Sequence, residues 1–139
     1  ARLVMVGGEP AQVEAATQAV ERRGLSASTI FTGQRPAEDV PAYLDAATAL
    51  VSPRSSGTNT PLKIYQYLRS GRPIVATRLR THTQVLNDDV SILTPATPEG
   101  LAAGLMRAIT DPEAAAIGVR RLRHTVRRIR HRRRRRCGH

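Results

Sequence analysis

The stretch Ser55–Ser56–Gly57–Thr58–Asn59–Thr60–Pro61–Leu62–Lys63–Ile64–Tyr65–Gln66–Tyr67–Leu68–Arg69–Ser70–Gly71–Arg72–Pro73–Ile74–Val75–Ala76–Thr77 decides the fold. It reads as loop, helix, tight turn and strand. The Thr60 hydroxyl is expected to cap the helix, with Pro61 at the first helical position, where a missing N–H costs nothing. Gly71 ends the helix and Pro73 prevents its continuation. Ile74–Val75–Ala76 is a short apolar run, as in a strand covered on both faces. Leu62, Tyr65 and Leu68 recur at helical spacing and are expected to face the core. Lys63, Gln66, Tyr67 and Ser70 then share another face. A Gly57–Thr58–Asn59–Thr60 loop ahead of that face sets free backbone amides beside a lysine, a pattern suited to an anion.

Outward from this stretch, strands and helices alternate. Arg2 to Val6 reads as a buried strand, Pro10 to Arg23 as a helix, and Thr29 to Thr32 as a second strand. Pro36 to Ala47 gives a short helix, and Leu50–Val51 lies in a third strand. After the fourth strand at Ile74 to Ala76, Val90 to Leu93 forms a fifth. Pro98 to Ile109 is an amphipathic helix through Leu101, Leu105 and Ile109, and Asp111–Pro112 restarts a helical turn. Spacings of about twenty to thirty residues fit βαβ units. Such crossovers impose parallel strands with helices on both faces. The expected class is α/β, a doubly wound, Rossmann-like parallel sheet, over residues 1–117, followed by an Arg-rich tail at 118–139, helical or disordered. Ligands of such sheets bind at the carboxyl ends of the strands. Here those ends are Gly7–Gly8, Thr32–Gly33, Pro53 to Thr60, Thr77–Arg78 and Thr94–Pro95.

Charge separates the two segments. The net charge is +11, yet residues 1–118 hold 11 Lys/Arg against 11 Asp/Glu, while residues 119–139 hold 11 arginines and no acid. A tail of this kind suits nucleic acid or an anionic membrane surface, as a helix or arm. It also reads as a solvated run with no partner. A shifted reading frame ranks ahead of both, since acids vanish after Glu113 and the tail's basicity is all arginine. Cys137 is the sole cysteine, which excludes an internal disulfide and favours a reducing compartment. No apolar run is long enough to span a bilayer and no signal-peptide layout opens the chain. The expected location is cytoplasmic, or peripheral at a membrane.

Several chemistries lack their motifs. Gly7–Gly8 does not complete G-x-G-x-x-G, no Walker loop exists, and no metal-ligand spacing joins His, Cys and acids in the folded part. Ser55–Ser56 has no nucleophile elbow around it. His82, after the fourth strand, reads first as a hydrogen-bonded surface residue of a loop rather than a catalyst. Arg54, Arg72 and Arg78 lie near the ligand edge and suit phosphate, Arg72 least of the three. Lys63 is the best single charge, because a cation at a helix start is unfavourable unless an anion offsets it.

Thr60 to Thr77 resembles the signature segment of retaining glycosyltransferases of family 4, in the carboxyl-terminal half of the GT-B fold. Leu3 to Gly8, Phe31–Thr32–Gly33 and Val51–Ser52–Pro53 add to the resemblance, which runs from about Leu3 to Ala116. It implies a donor-binding domain for a nucleotide-diphosphate sugar, the donor being a substrate, with no cofactor and no metal. The implied diphosphate site is Gly57, Thr58, Asn59, Thr60 and Lys63. Gln66 would meet the ribose, the loop Thr32, Gly33 and Gln34 the base side, and Gly7 and Gly8 form a strand-end loop. The two glutamates of the family pattern fall on Thr58 and Gln66, so neither carboxylate is present. Gln66 can still hydrogen-bond a diol, without charge assistance. The family's basic pair and first strand unit, and its acceptor-binding amino-terminal domain, would lie before Ala1. The implied function is hexosyl transfer with retention, no catalytic nucleophile being evident, and the isolated chain is expected to bind donor weakly and turn nothing over. The other reading is a non-enzymatic α/β module whose tail contacts nucleic acid or membrane. Few aromatics in the tail leave base stacking without a platform, which favours the enzyme.

Overall fold

The computed structural model describes residues 1–117. The expected tail at 118–139, with Cys137 and three of the histidines, lies outside the described residues. The chain divides into two compact units, Ala1–Ala42 and a second from Tyr43 onward.

The first unit holds β1 (Leu3–Met5), α1 (Pro10–Glu21), β2 (Thr29–Phe31) and a 3₁₀ turn at Ala37–Asp39; α2 (Val40–Ala46) crosses its boundary. β1 and β2 run parallel in the register Leu3 to Thr29, as a helical crossover requires. Pro10 starts α1, where its ring costs no hydrogen bond, and the Glu9 amide donates to Gln12 Oε1 at 3.0 Å. The expected burial of this strand is not found. Leu3, Val4, Met5 and Val6 are each 42–46% exposed, because β1 hydrogen-bonds to β2 alone and α1 contributes no buried residue.

The second unit carries β3 (Leu50–Ser52), α3 (Lys63–Ser70), β4 (Ile74–Thr77), α4 (Arg80–Thr83), β5 (Ile92–Thr94), α5 (Pro98–Thr110) and α6 (Pro112–Ala115). Its sheet has the order β3–β4–β5, all parallel, with Leu50 opposite Ile74 and Val75 opposite Ile92. Successive side chains of a strand point to opposite faces, and β4 uses both. Ile74 and Ala76 pack with Ile64 of α3 and Leu86 on one face. Val75 packs with Ile92, Ala108 and Ala114 on the other. All four residues of β4 are buried, as the apolar run predicts for a strand with helices on both sides. Thr97 Oγ1 caps α5 by accepting from the Gly100 amide at 3.1 Å, and Asp111 Oδ1 caps α6 from the Glu113 amide at 2.9 Å.

Helix α3 departs from expectation in two ways. It begins at Lys63, two residues late, and no side chain caps it. Thr60 instead donates its hydroxyl to Gln84 Oε1 at 3.0 Å. The first turn is drawn tight by Ile64 N–H to the Pro61 carbonyl and Tyr65 N–H to the Leu62 carbonyl. The buried stripe is also shifted. Ile64 is fully buried, with Tyr67 and Leu68 packed against its cluster, whereas Leu62 is 82% and Tyr65 49% exposed. Gly71 closes the helix at φ 73°, a left-handed turn that glycine adopts without strain.

Candidate functional site

The loop between β3 and α3 starts from a buried polar base. Ser52 ends β3 and Thr77 ends β4, and both are buried. Between them lies His82 of α4, fully buried in a short helix rather than exposed in a loop as its sequence context suggests. Nε2 of His82 meets Ser52 Oγ at 3.0 Å, and Nδ1 meets the Thr77 carbonyl at 2.7 Å. Thr77 Oγ1 donates to the Arg54 carbonyl at 2.6 Å. Arg54 then turns its guanidinium onto the Asn59 carbonyl at 2.7 Å, closing the loop on itself. Gly57 allows that closure at φ 118°, where a Cβ would lie 3.0 Å from Arg54 Nη1 and 3.7 Å from Thr81 Cγ2.

The loop delivers the chain to a helix start that lacks both a side-chain cap and an acid in its first turn. Lys63, the single lysine of the sequence, stands there instead. Although the residue as a whole is exposed, its ammonium lies over the Tyr67 ring, 5.8 Å from the centroid. Partial desolvation holds it below the usual lysine range, and the neighbouring Arg54 charge lowers it further. Burial also pushes the Tyr67 phenol upward. Among the described residues, no carboxylate forms a salt bridge to Arg54 or Lys63. Two cations without a carboxylate partner thus lie beside an uncapped helix start, where positive charge is unfavourable in the absence of an anion.

The expected residues sort into two places. In the second unit, Gly57, Thr58 and Asn59 are exposed along the loop, Thr60 is half-buried and tied to Gln84, and Gln66 is exposed on α3. In the first unit, Gly7 and Gly33 meet in an antiparallel bridge, the Gly7 amide donating to the Gly33 carbonyl at 2.8 Å. Thr32 donates its amide to the Met5 carbonyl, Gln34 Nε2 donates to Glu9 Oε1 at 2.7 Å, and Gly8 is exposed. Of the other arginines, Arg78 pairs with Asp88 at 2.7 Å, which holds the Asp88 carboxyl below its usual range. Arg72 donates to the Asp45 carbonyl. Arg78 is thus neutralised by a carboxylate, whereas Arg72, like Arg54, meets only a backbone carbonyl but stands beyond the far end of α3. Thr81 was missed altogether. It is fully buried and its hydroxyl has no partner. No local pattern marks it, since only the fold brings it to Gly57.

Among the described residues, no cluster of metal-ligating side chains occurs and no helix is long and apolar enough to cross a membrane. No curated protein matches the chain. Solved structures do. Anabaena HepE, determined in complex with UDP-glucose, superposes at a TM-score of 0.74 with 24% identity over 84% of this chain and 34% of its own. The sucrose-phosphate synthase of Thermosynechococcus elongatus gives 0.73 with 23% identity, over 88% of this chain and 34% of its own. WaaG, a glycosyltransferase involved in lipopolysaccharide biosynthesis, gives 0.72 with 20% identity, over 88% and 33%. These likenesses show the fold, one half of a GT-B architecture, and the chain spans about a third of the length of each structure. The family model for glycosyl transferases group 1 matches residues 1–111. Most of the sequence is covered by that match, and the chain belongs to the glycosyl transferases group 1 family.

Proposed function

We propose that this domain binds the diphosphate of a nucleotide-sugar donor for hexosyl transfer with retention of anomeric configuration. The observation that carries the reading is the pair Arg54 and Lys63. Both cations lack a carboxylate partner among the described residues, and they flank an uncapped helix start reached through a glycine loop. A diphosphate supplies the charge that the site lacks. The roles proposed are amide and hydroxyl contacts from Gly57, Thr58, Asn59 and Thr60, and charge from Lys63, with Arg54 added to the residues the sequence singled out. Gln66 is proposed for the ribose diol as a neutral donor and acceptor. The base-side loop Thr32, Gly33 and Gln34 and the strand-end pair Gly7 and Gly8 rest on the family resemblance.

As the sugar departs, charge grows on the leaving diphosphate. Donors fixed in advance at that position stabilise the transition state without having to reorganise. These residues position and stabilise; none is proposed as a nucleophile. Acceptor recognition and turnover are assigned to a second α/β half across a cleft, so the isolated chain binds donor and transfers nothing. HepE complexes with UDP and UDP-glucose support uridine nucleotides as first probes. Titrating the chain with UDP and UDP-glucose is expected to shift the backbone amide resonances of Gly57 to Lys63, and Lys63→Met to weaken binding about tenfold, the loss of one charged hydrogen bond. Unmoved amides at millimolar UDP, GDP and ADP overturn the reading.

A further inference from the structure

We propose that His82 is a positioning residue that fixes the loop from Pro53 to Leu62, with Ser52 and Thr77 as its partners. The imidazole is fully buried on a four-residue helix, and the loop chemistry above does not use it. The hydrogen-bond roles of its two nitrogens follow from its partners. The Thr77 carbonyl can only accept, so Nδ1 carries the proton, and Nε2 accepts from the Ser52 hydroxyl. The Thr77 hydroxyl lies 3.2 Å from Nδ1 and gives its own proton to the Arg54 carbonyl at 2.6 Å. Arg54 in turn donates to the Asn59 carbonyl. One unbroken set of hydrogen bonds thus runs from the end of β3, through α4 and the end of β4, to both limbs of the loop.

Three buried polar side chains at one end of a sheet are costly unless each is satisfied, and satisfied they specify a single arrangement. The loop itself has no helix or strand to hold it. Beyond the Pro61 and Leu62 carbonyls, bonded into the first turn of α3, its anchors are these contacts and the Thr60 bond to Gln84. His82 therefore governs where the Arg54 guanidinium stands while touching no ligand. Its consequence for ligand affinity rests on the diphosphate reading; its effect on the loop does not.

Two measurements on the full chain test this. In the absence of ligand, tryptic cleavage after Arg54, read by mass spectrometry against cleavage after exposed Arg22, reports how often the loop opens. His82→Leu fills the space without hydrogen bonds and is expected to raise that ratio about tenfold. His82→Asn, which keeps a donor for the Thr77 carbonyl, is expected to restore most of the protection. Ser52→Ala gives the same direction with a smaller change and serves if His82→Leu does not fold. For UDP, His82→Leu and Arg54→Gln are each expected to lose about tenfold in affinity, and the double variant no more than either, since both remove the same contact. An unchanged cleavage ratio in His82→Leu and Ser52→Ala overturns the proposal, as do losses of UDP affinity that multiply. If the wild-type chain binds no UDP, the diphosphate reading falls and the cleavage ratio alone decides.

Discussion

Thr81 holds a hydroxyl that is buried without a partner, the one such side-chain atom among the described residues. Leaving a hydroxyl unsatisfied costs about 1–3 kcal/mol, so Thr81→Val, which keeps the shape, is expected to stabilise the ligand-free chain by about 1 kcal/mol. A urea midpoint that falls instead would show that the hydroxyl has a partner, such as an ordered water. Lys63 gives a second prediction at this scale. Desolvation, then Arg54, lowers its folded value below the ordinary 10.5, so between the two values the unfolded chain binds more protons and stability climbs with pH. Lys63→Met lacks this penalty. Its advantage over wild type is expected to narrow as pH rises towards 10.5; a gap constant with pH argues against the lowered value. The depressed amine should also acetylate faster than an ordinary lysine at neutral pH, and UDP should protect it. Lys63 does stand at a helix start, the first residue of α3, and its conflict there with the dipole is a local signal that sequence can carry. Sequence misplaced Thr60 because a Thr–Pro pair is a cap signal too, whereas the partner that won, Gln84, stands 24 residues away.

Helix α5 lies on the sheet through Gly104, which is buried. A Cβ there would overlap Thr94 Cγ2 and come within 2.9 Å of Val75 Cγ1. Alanine is about 1 kcal/mol better than glycine inside a helix, but overpacking a close contact costs about 1–3 kcal/mol and the strand atoms are not the ends of flexible chains. Packing wins. Gly104→Ala is expected to lower stability by about 2 kcal/mol, read from urea unfolding, and a stabilised variant would mean that α5 can lift from β4 and β5 at little cost. Elements with a continuous signal were legible: β4 as an apolar run, and α5 by the spacing of Leu101 and Leu105, which pack against the Val75 cluster, although Ile109 of the same expected stripe is 45% exposed. Those without were not. In α3 the apolar residues Leu62, Ile64, Tyr65, Tyr67 and Leu68 form two overlapping stripes, and only the sheet decides that Ile64 faces inward. Helix α4, Arg80–Thr83, has four residues and no apolar one, so periodicity had nothing to read, and the burial of His82 went with it.

At the scale of the whole molecule, charge and fold are segregated along the chain. The first 118 residues are balanced, 11 against 11, and the entire excess of +11 falls after Gly118. A balanced body exerts little long-range attraction, so diphosphate recognition must come from local geometry, the two cations and the amides beside them. Eleven clustered arginines instead release many counterions from any polyanion they meet, with a steep loss of affinity in salt. The two behaviours therefore separate. Removal of residues 119–139 is expected to leave UDP affinity within about twofold and to abolish retention on heparin or DNA at moderate salt. The full chain's polyanion binding should fall by about 10³ or more between 50 and 200 mM salt, while UDP binding, resting on two cations, changes far less. Fluorescence titration of both chains across that salt range reads both quantities. If UDP affinity disappears with the tail, or follows the same steep salt dependence, then the anion site belongs to the arginines rather than to the mouth of α3, and the domain is a carrier for its tail.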